Sequence, residues 1–209
     1  MKNRFLIFLL ISLVSLSSCS DYQKVLKEGD NQKKYDMALE LYKEGKYNKA
    51  FPLFDQLNIV YRGSDQGERI AYYQAMCNYG VKDYLLAEHR LTQYYKNYPN
   101  SGFAEQAQFN AAICAYHLSP VASLDQADTK KALRSFQRFA LDYPESSKID
   151  TVNQLMDELR TKLELKDYKS AKLYYDMESY RAATSAIENF IHDYPNSIYR
   201  EEMTFAYLK

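Results

Sequence analysis

Apolar residues recur three and four positions apart along most of the chain, which is the spacing of one face of an α-helix. Around Ala38, an aromatic residue lies three positions earlier at Tyr35 and another lies four positions later at Tyr42. Around Ala50, Phe54 lies one helical turn further on. The chain has only 6 glycines and 5 prolines to interrupt such helices. The pattern predicts an all-α protein.

One of these helical segments occurs four times with the same landmarks. Each copy has an alanine, an apolar residue four positions later and a tyrosine eleven positions after the alanine. The alanines are Ala50, Ala87, Ala132 and Ala183, and the tyrosines are Tyr61, Tyr98, Tyr143 and Tyr194. Proline follows the tyrosine in three copies, with a serine two residues beyond it. Since proline cannot continue a helix, each helix is predicted to end at Tyr-Pro, and the serine suits the cap of the next helix.

A second type of helix precedes each of these segments and carries two rows of aromatic residues. Its alanines are Ala38, Ala75, Ala112 and Ala171. Three positions before them lie Tyr35, Tyr72, Phe109 and Tyr168, and four positions after them lie Tyr42, Tyr79, Tyr116 and Tyr175. The paired alanines are twelve residues apart in copies one, two and four, and twenty apart in the third, which predicts an eight-residue insertion in the turn "HLSPVASLDQAD".

These helix pairs resemble the tetratricopeptide repeat, which has a small residue in its first helix, Tyr-x-x-Ala at the start of its second and a closing proline. The stretch "YDMALELYKEGKYNKAFPLF" is the closest match. The predicted fold is an all-α, tetratricopeptide-like helical-hairpin solenoid of four repeats plus a final unpaired helix. The repeat domain is expected over 34–209, with repeats at about 34–63, 66–100, 102–145 and 147–196, and a partial fifth at 198–209.

The two aromatic rows have two possible roles. In tetratricopeptide arrays the first helix of each repeat lines the concave groove, so both rows are candidates for a groove that binds an extended or aromatic-ended peptide. Tyrosine suits that role because it offers apolar area and a polar tip at low entropic cost. The alternative is that the same rings only pack between neighbouring helices.

The N-terminus predicts export and lipidation. Lys2 and Arg4 precede an apolar segment, 5–16, that is too short to span a bilayer as a helix. The following Leu-Ser-Ser-Cys resembles the bacterial lipobox, in which the cysteine is acylated and becomes the first residue after cleavage. We therefore expect a lipoprotein signal peptide at 1–18, a lipid (palmitate) anchor on Cys19 and a tether at 19–33.

The other two cysteines, Cys77 and Cys114, occupy equivalent positions in successive repeats. Packed helices lie about 10 Å apart, whereas a disulfide requires Cα atoms within roughly 7 Å. We therefore expect two buried thiols rather than a disulfide pair.

Charge and motifs favour a protein without enzymatic activity. The 27 basic residues equal the 27 acidic ones, so no electrostatic footprint for nucleic acid is visible. The three histidines share no ligand spacing with one another or with a cysteine, and no glycine-rich phosphate loop occurs. The sequence predicts no catalytic residue, no metal and no cofactor. An enzyme built on a helical solenoid would also require a separate catalytic domain, for which no room is left.

A lipobox followed by elongated repeats that end in Tyr-Pro-x-Ser resembles the BamD family, the lipoproteins of the outer-membrane β-barrel assembly machinery. Residues 132–197, with their long helix running into "LYYDMESYRAA", carry most of this resemblance. The resemblance implies a lipid-anchored protein at the periplasmic face of the outer membrane. Its expected partners are unfolded outer-membrane proteins, facing the N-terminal repeats, and the POTRA region of the barrel-forming subunit, facing the C-terminal repeats.

Family members have five repeats, whereas this sequence stops within the first helix of the fifth. We therefore expect Phe205 and Leu208 to lie on an apolar face with no following helix to cover it. The alternative function is a periplasmic tetratricopeptide scaffold of the Tol-Pal coordinator type. Such a protein would carry an ordinary signal and an N-terminal coiled coil, for which residues 20–34 are too short.

Overall fold

A computed structural model describes residues 21–208, and all regular secondary structure in that range is helical. After a helical segment at 21–28, the helices are α1 (Asn31–Lys43), α2 (Tyr47–Val60), α3 (Asp65–Gly80), α4 (Tyr84–Asn97), α5 (Ala104–Leu118), α6 (Ala127–Asp142), α7 (Ile149–Asp176), α8 (Tyr180–Asp193) and α9 (Arg200–Tyr207). The chain divides into two units, Met1–Ala107 and Gln108–Lys209.

In the described part of the first unit, each helix from α1 to α4 packs against the next in sequence. One core cluster of this unit contains Ala38, Ala50, Leu53, Phe54, Leu57, Ile70 and Cys77. The segment 21–28 also packs here, through Tyr22, Val25 and Leu26, and the Tyr22 hydroxyl donates to the Lys49 carbonyl at 3.1 Å. This part of the predicted tether therefore lies against the first hairpin.

The second unit contains two core clusters joined by the long helix α7. The first contains Ala112, Ala115, Ala132, Phe136, Phe139, Val152, Met156 and Leu159. The second contains Ala171, Ala183, Ile187, Phe190 and Met203. Helix α7 has 28 residues, so at about 1.5 Å per residue it spans about 42 Å. Its N-terminal half completes the α5–α6 core, while its C-terminal half pairs with α8 and contacts α9.

The fold class predicted from the periodicity is confirmed: the described helices pack in sequential pairs. All eight alanines that define the repeats are buried, with at most 2% of their surface exposed. A methyl group at these positions allows the two helices of a pair to approach closely. The insertion predicted in the third repeat is also present, as the connection at 119–126 between α5 and α6.

The Tyr-Pro boundaries share one geometry. Tyr98, Tyr143 and Tyr194 each follow the last helical residue and donate a backbone N–H to the carbonyl four residues earlier at 2.9 Å. The serines after the prolines then accept backbone N–H groups two residues further on, at 3.0–3.2 Å. These serines are Ser101, Ser146 and Ser197. As predicted, they satisfy backbone donors where the next helix begins.

The turn between the paired helices requires a left-handed residue. Gly45 has φ +73° in the first repeat, and the equivalent residues are Lys82 with φ 63° and Glu178 with φ 57°. This conformation is open to glycine but costs residues with a Cβ about 1–2 kcal/mol. The second and fourth repeats therefore form this turn with Lys82 and Glu178, whose left-handed backbone conformation costs free energy.

Replacement of Gly67 by alanine is expected to destabilise the protein. Gly67 lies in the first turn of α3, and a Cβ there would overlap the Tyr61 carbonyl oxygen. Overpacking of this kind costs about 1–3 kcal/mol, which exceeds the gain of up to about 1 kcal/mol from alanine's helix propensity. Urea unfolding of the parent and the Gly67→Ala protein measures the difference in the free energy of unfolding. Gly102→Ala is the control, since nothing in the described part of the chain lies within 4 Å of its added Cβ. Equal midpoints for the two variants would contradict the close approach.

Candidate functional site

The first aromatic row is largely used in packing. Tyr72 on α3 is only 7% exposed, with its ring stacked on Phe103 at 4.5 Å between centroids and tilted against Tyr94 of α4 at 5.5 Å. Tyr168 on α7 repeats this arrangement, stacked on Tyr199 at 4.0 Å and tilted against Phe190 at 6.2 Å.

Phe109 on α5 is packed in the same way, except that a lysine takes the place of the stacked aromatic ring. Its ring meets Phe139 edge-on at 5.5 Å, and the Lys148 ammonium lies 5.9 Å from its centroid. In all three repeats the ring thus lies between a residue of the second helix and the residue two positions after the motif serine. This geometry favours packing for Tyr72, Phe109 and Tyr168, although Phe109 and Tyr168 are half-buried, as is Tyr35 of the same row on α1.

The second row is half-buried throughout. Tyr42 on α1 meets Tyr47 edge-on at 5.4 Å and Tyr73 of α3 at 5.0 Å. Burial among these rings raises the pKa of the Tyr42 phenol well above its usual value. Tyr79 on α3 meets Tyr84 edge-on at 6.0 Å. The first unit therefore places Tyr35, Tyr42 and Tyr79 on α1 and α3 with part of each ring accessible.

In the second unit the corresponding rings have polar or core partners. The Tyr116 hydroxyl donates to the Glu158 carboxylate at 2.5 Å, and the Lys162 ammonium lies 6.0 Å from its ring centroid. Hydrogen bonding to Glu158, together with burial, raises the Tyr116 pKa. Tyr175 packs at the edge of the core cluster around Ala171.

A hydroxyl–carboxylate network links three elements of the first unit. The Tyr94 hydroxyl lies 2.7 Å from Ser101 Oγ, and Ser101 Oγ contacts the Glu68 carboxylate of α3. Sequence reasoning identified Ser101 only as a helix cap and missed this cross-link. The sequence feature that could have indicated this cross-link is the serine that recurs two residues after the proline of each Tyr-Pro pair.

Alkaline pH is expected to weaken the first unit. Burial raises the pKa of Tyr72 and of Tyr94 to about 12, whereas an unfolded chain exposes them with a pKa of about 10. Because the folded pKa is higher, the stabilisation is fully present below about pH 10 and is lost as the pH rises through 12. The midpoint of urea unfolding should fall as the pH rises from about 10 to 12. The absorbance of these tyrosinates should appear at a higher pH than that of free tyrosine. A constant midpoint would contradict the burial of both phenols.

The cysteines behave as predicted. Cys77 and Cys114 are both buried thiols, with 1% and 0% of their surface exposed. Burial raises the Cys77 pKa to about 12, so little reactive thiolate forms at neutral pH. Cys19 lies outside the described residues, and its acylation stays a prediction.

Residues 21–208 contain neither a metal-binding cluster nor a membrane-spanning helix. No group of three or more His, Cys, Asp or Glu side chains in that range could hold a metal ion. None of the helices there is long and apolar enough to cross a membrane. The face at the C-terminal end is exposed as expected: Phe205 and Leu208 are 63% and 75% accessible and line a cleft of about 600 Å³ with Ile198.

Paired helices, buried alanines at the crossing points and recurrent Tyr-Pro ends define a helical-hairpin repeat protein. The family model described as YfiO, outer membrane lipoprotein, matches residues 27–208. The chain belongs to this family of outer membrane lipoproteins. It is 27% identical over 209 residues to a putative outer membrane protein assembly factor BamD of Aquifex aeolicus (strain VF5), covering 99% of this chain and 68% of that protein.

The crystal structure of a thermophilic TPR protein of Thermus thermophilus is similar with a TM-score of 0.48 and 15% identity, over 86% of this chain and all of the other. The family membership confirms the predicted resemblance and the outer-membrane localisation of a lipoprotein. It also confirms the prediction of a non-enzymatic protein, because the family is one of assembly factors.

Proposed function

We propose that this lipoprotein is a scaffold of the β-barrel assembly machinery that binds unfolded outer-membrane proteins and the POTRA region of the barrel-forming subunit. The family membership and the similarity to a putative BamD assembly factor support this role. The proposed binding of unfolded outer-membrane proteins rests on the accessible tyrosine surface of the first unit, which is formed by Tyr35, Tyr42 and Tyr79.

The chemistry of this surface suits an extended, aromatic-ended segment. Tyr42 and Tyr79 are held edge-on by neighbouring rings, so little side-chain entropy is lost when a ligand ring packs against them. Tyr72 lies beneath the surface and maintains its shape through Phe103 and Tyr94. In this proposal Tyr42 and Tyr79 bind the ligand, whereas Tyr72 packs beneath them.

The C-terminal part of the chain is proposed to contact the POTRA region, as the family resemblance implies. Ile198, Phe205 and Leu208 expose 63–85% of their surface there.

Peptide binding should depend on the accessible tyrosines and not on tyrosine content in general. The measurement is a fluorescence titration of the full-length chain, in mild detergent, with a barrel-protein C-terminal peptide. Tyr42→Ala and Tyr79→Ala are expected to weaken binding about tenfold, a loss of about 1.4 kcal/mol. The matched control is Tyr180→Ala, which removes an equally large ring that is 63% exposed on α8.

Thermal melting separates binding from folding. Tyr79→Ala should retain most of the stability, and Tyr42→Ala should lose less than Tyr72→Ala, which should lose about 3 kcal/mol or more because its ring is buried. Equal affinity for a scrambled peptide would refute the substrate role. So would weaker binding that only accompanies unfolding.

A further inference from the structure

A cleft lined by both polar and apolar side chains lies in the first unit, next to the face of α3 opposite Tyr72. It has a volume of about 570 Å³ and is lined by α2, α3 and α4, with Arg62, Gln74, His89, Arg90, Gln93 and Asn97 among its residues. Gln74 lies two positions after Tyr72, which places it about 200° around α3 from that ring. The volume falls within the range of about 300–1,000 Å³ that is typical of ligand sites.

The floor of the cleft is built from side chains with fixed partners. Gln74 is only 3% exposed, and its amide nitrogen donates to Asp55 at 2.6 Å. The Asn58 amide nitrogen donates in turn to the Gln74 oxygen at 3.2 Å. These bonds hold the carboxamides in one orientation, so the polar floor exists before any ligand arrives.

The walls of the cleft carry positive charge. Within the described part of the chain, no aspartate or glutamate lines the cleft, while Arg62 and Arg90 do. The Arg90 guanidinium lies 5.1 Å from the Phe51 ring centroid, and its buried Nε has no hydrogen-bond partner among residues 21–208. A buried donor left unpaired costs about 1–3 kcal/mol, so a guanidinium that turns towards a bound acceptor would relieve that cost.

We propose that this cleft binds the carboxylate of an acidic peptide segment, at a site separate from the tyrosine surface. Guanidinium groups recognise carboxylates through paired N–H donors. The carboxamides of Gln93 and Asn97 each offer a donor and an acceptor, which matches the N–H and C=O groups of a peptide backbone. A fully ionised phosphate has acceptors alone and would pair only with the N–H groups of Gln93 and Asn97.

The carboxylate has two possible sources, an aspartate or glutamate side chain and a chain end. Three fluorescently labelled ten-residue peptides of glycine, serine and tyrosine distinguish them. The first contains two aspartates and has both ends blocked, the second replaces the aspartates with asparagine, and the third is the asparagine peptide with a free C-terminal carboxylate. Titration uses the full-length chain in mild detergent.

The aspartate peptide is expected to bind at least tenfold more tightly than its blocked asparagine twin. Arg62→Gln and Arg90→Gln should each remove most of that difference, and added salt should reduce it. Arg181→Gln on α8, an exposed arginine of the second unit, is the matched control and should change nothing. Tight binding by the third peptide alone would support the proposal and assign the carboxylate to a chain end.

The site does not depend on the proposed scaffold role, and the two can fail separately. Tyr79→Ala should leave binding of the aspartate peptide unchanged, while Arg62→Gln should leave binding of a barrel-protein peptide with an amidated end unchanged. Arg62 lies in an exposed turn, so its variant tests the site even if Arg90→Gln loosens the packing on Phe51.

Equal affinity for all three peptides would overturn the proposal. Arginine-dependent binding to phosphatidylglycerol vesicles without any peptide preference would also overturn it, because the cleft would then be a membrane contact.

Discussion

Phe136→Ala is expected to lower the free energy of unfolding by about 3–5 kcal/mol, as for other buried aromatic residues. Phe136 has no exposed surface and lies between α5 and α7, in the cluster with Ala112, Ala132 and Val152. Its loss leaves a cavity that several helices would have to fill together. Since small proteins are stable by only about 5–15 kcal/mol, the variant should approach the limit of folding.

Chemical denaturation of the two phenylalanine variants provides the comparison. Phe205→Ala is the matched control, because the same atoms are removed from a ring that is 63% exposed on α9. That variant should differ from the parent by about 0.5 kcal/mol or less. Equal losses for Phe136→Ala and Phe205→Ala would show that the α5–α7 core is not closed around Phe136.

Cys19→Ala is expected to abolish stable membrane attachment. The lipobox resemblance points to acylation of this residue, and the matching family is one of outer membrane lipoproteins. Each buried methylene contributes about 0.8 kcal/mol of membrane affinity, so acyl chains on one residue hold the protein far more strongly than its charge-neutral sequence would. Loss of the thiol removes the attachment point for all of them.

Membrane fractionation and palmitate labelling measure this effect. The matched control is Cys77→Ala, which removes a thiol that is 1% exposed and should leave labelling and fractionation unchanged. Undiminished labelling of the Cys19→Ala protein would contradict lipidation at this position.

The parts of the fold that sequence predicted well are those set by local pattern. The repeat alanines, the helix ends at Tyr-Pro and the longer turn of the third repeat depend on residues within a few turns of one another, and all three were confirmed. Helix periodicity and proline chemistry are sufficient for such features. The boundaries of the signal, the tether and the individual repeats stay predictions.

The side-chain networks could not be predicted in this way, because their members come from different helices. Lys162 donates to Ser119 at 2.7 Å and Lys166 to the Ser123 carbonyl at 3.1 Å, which ties the third repeat's long turn to α7 across 43 positions of sequence. One signal was available and not used. An aromatic residue stands two positions after the serine at Phe103 and Tyr199, where it stacks on the first aromatic row.

The candidate site was predicted only in outline. The sequence placed eight aromatic residues in two rows but could not separate Tyr72, which is 7% exposed, from Tyr79, which is half-buried. The difference arises from the neighbours: Tyr72 is covered by Phe103 and Tyr94, while Tyr79 meets Tyr84 edge-on. The cleft around Arg90 was not predicted, since its walls come from three helices.

The length of α7 changes how the second unit can come apart. In a regular repeat array each hairpin touches only its neighbours, so terminal hairpins can fray while the others persist. Here one continuous helix supplies Val152, Met156 and Leu159 to one core and Ala171 to the next. Melting either core removes the support of a helix that the other requires. Residues 108–208 should therefore unfold as one cooperative unit, in which a substitution that destabilises either core lowers the stability of both.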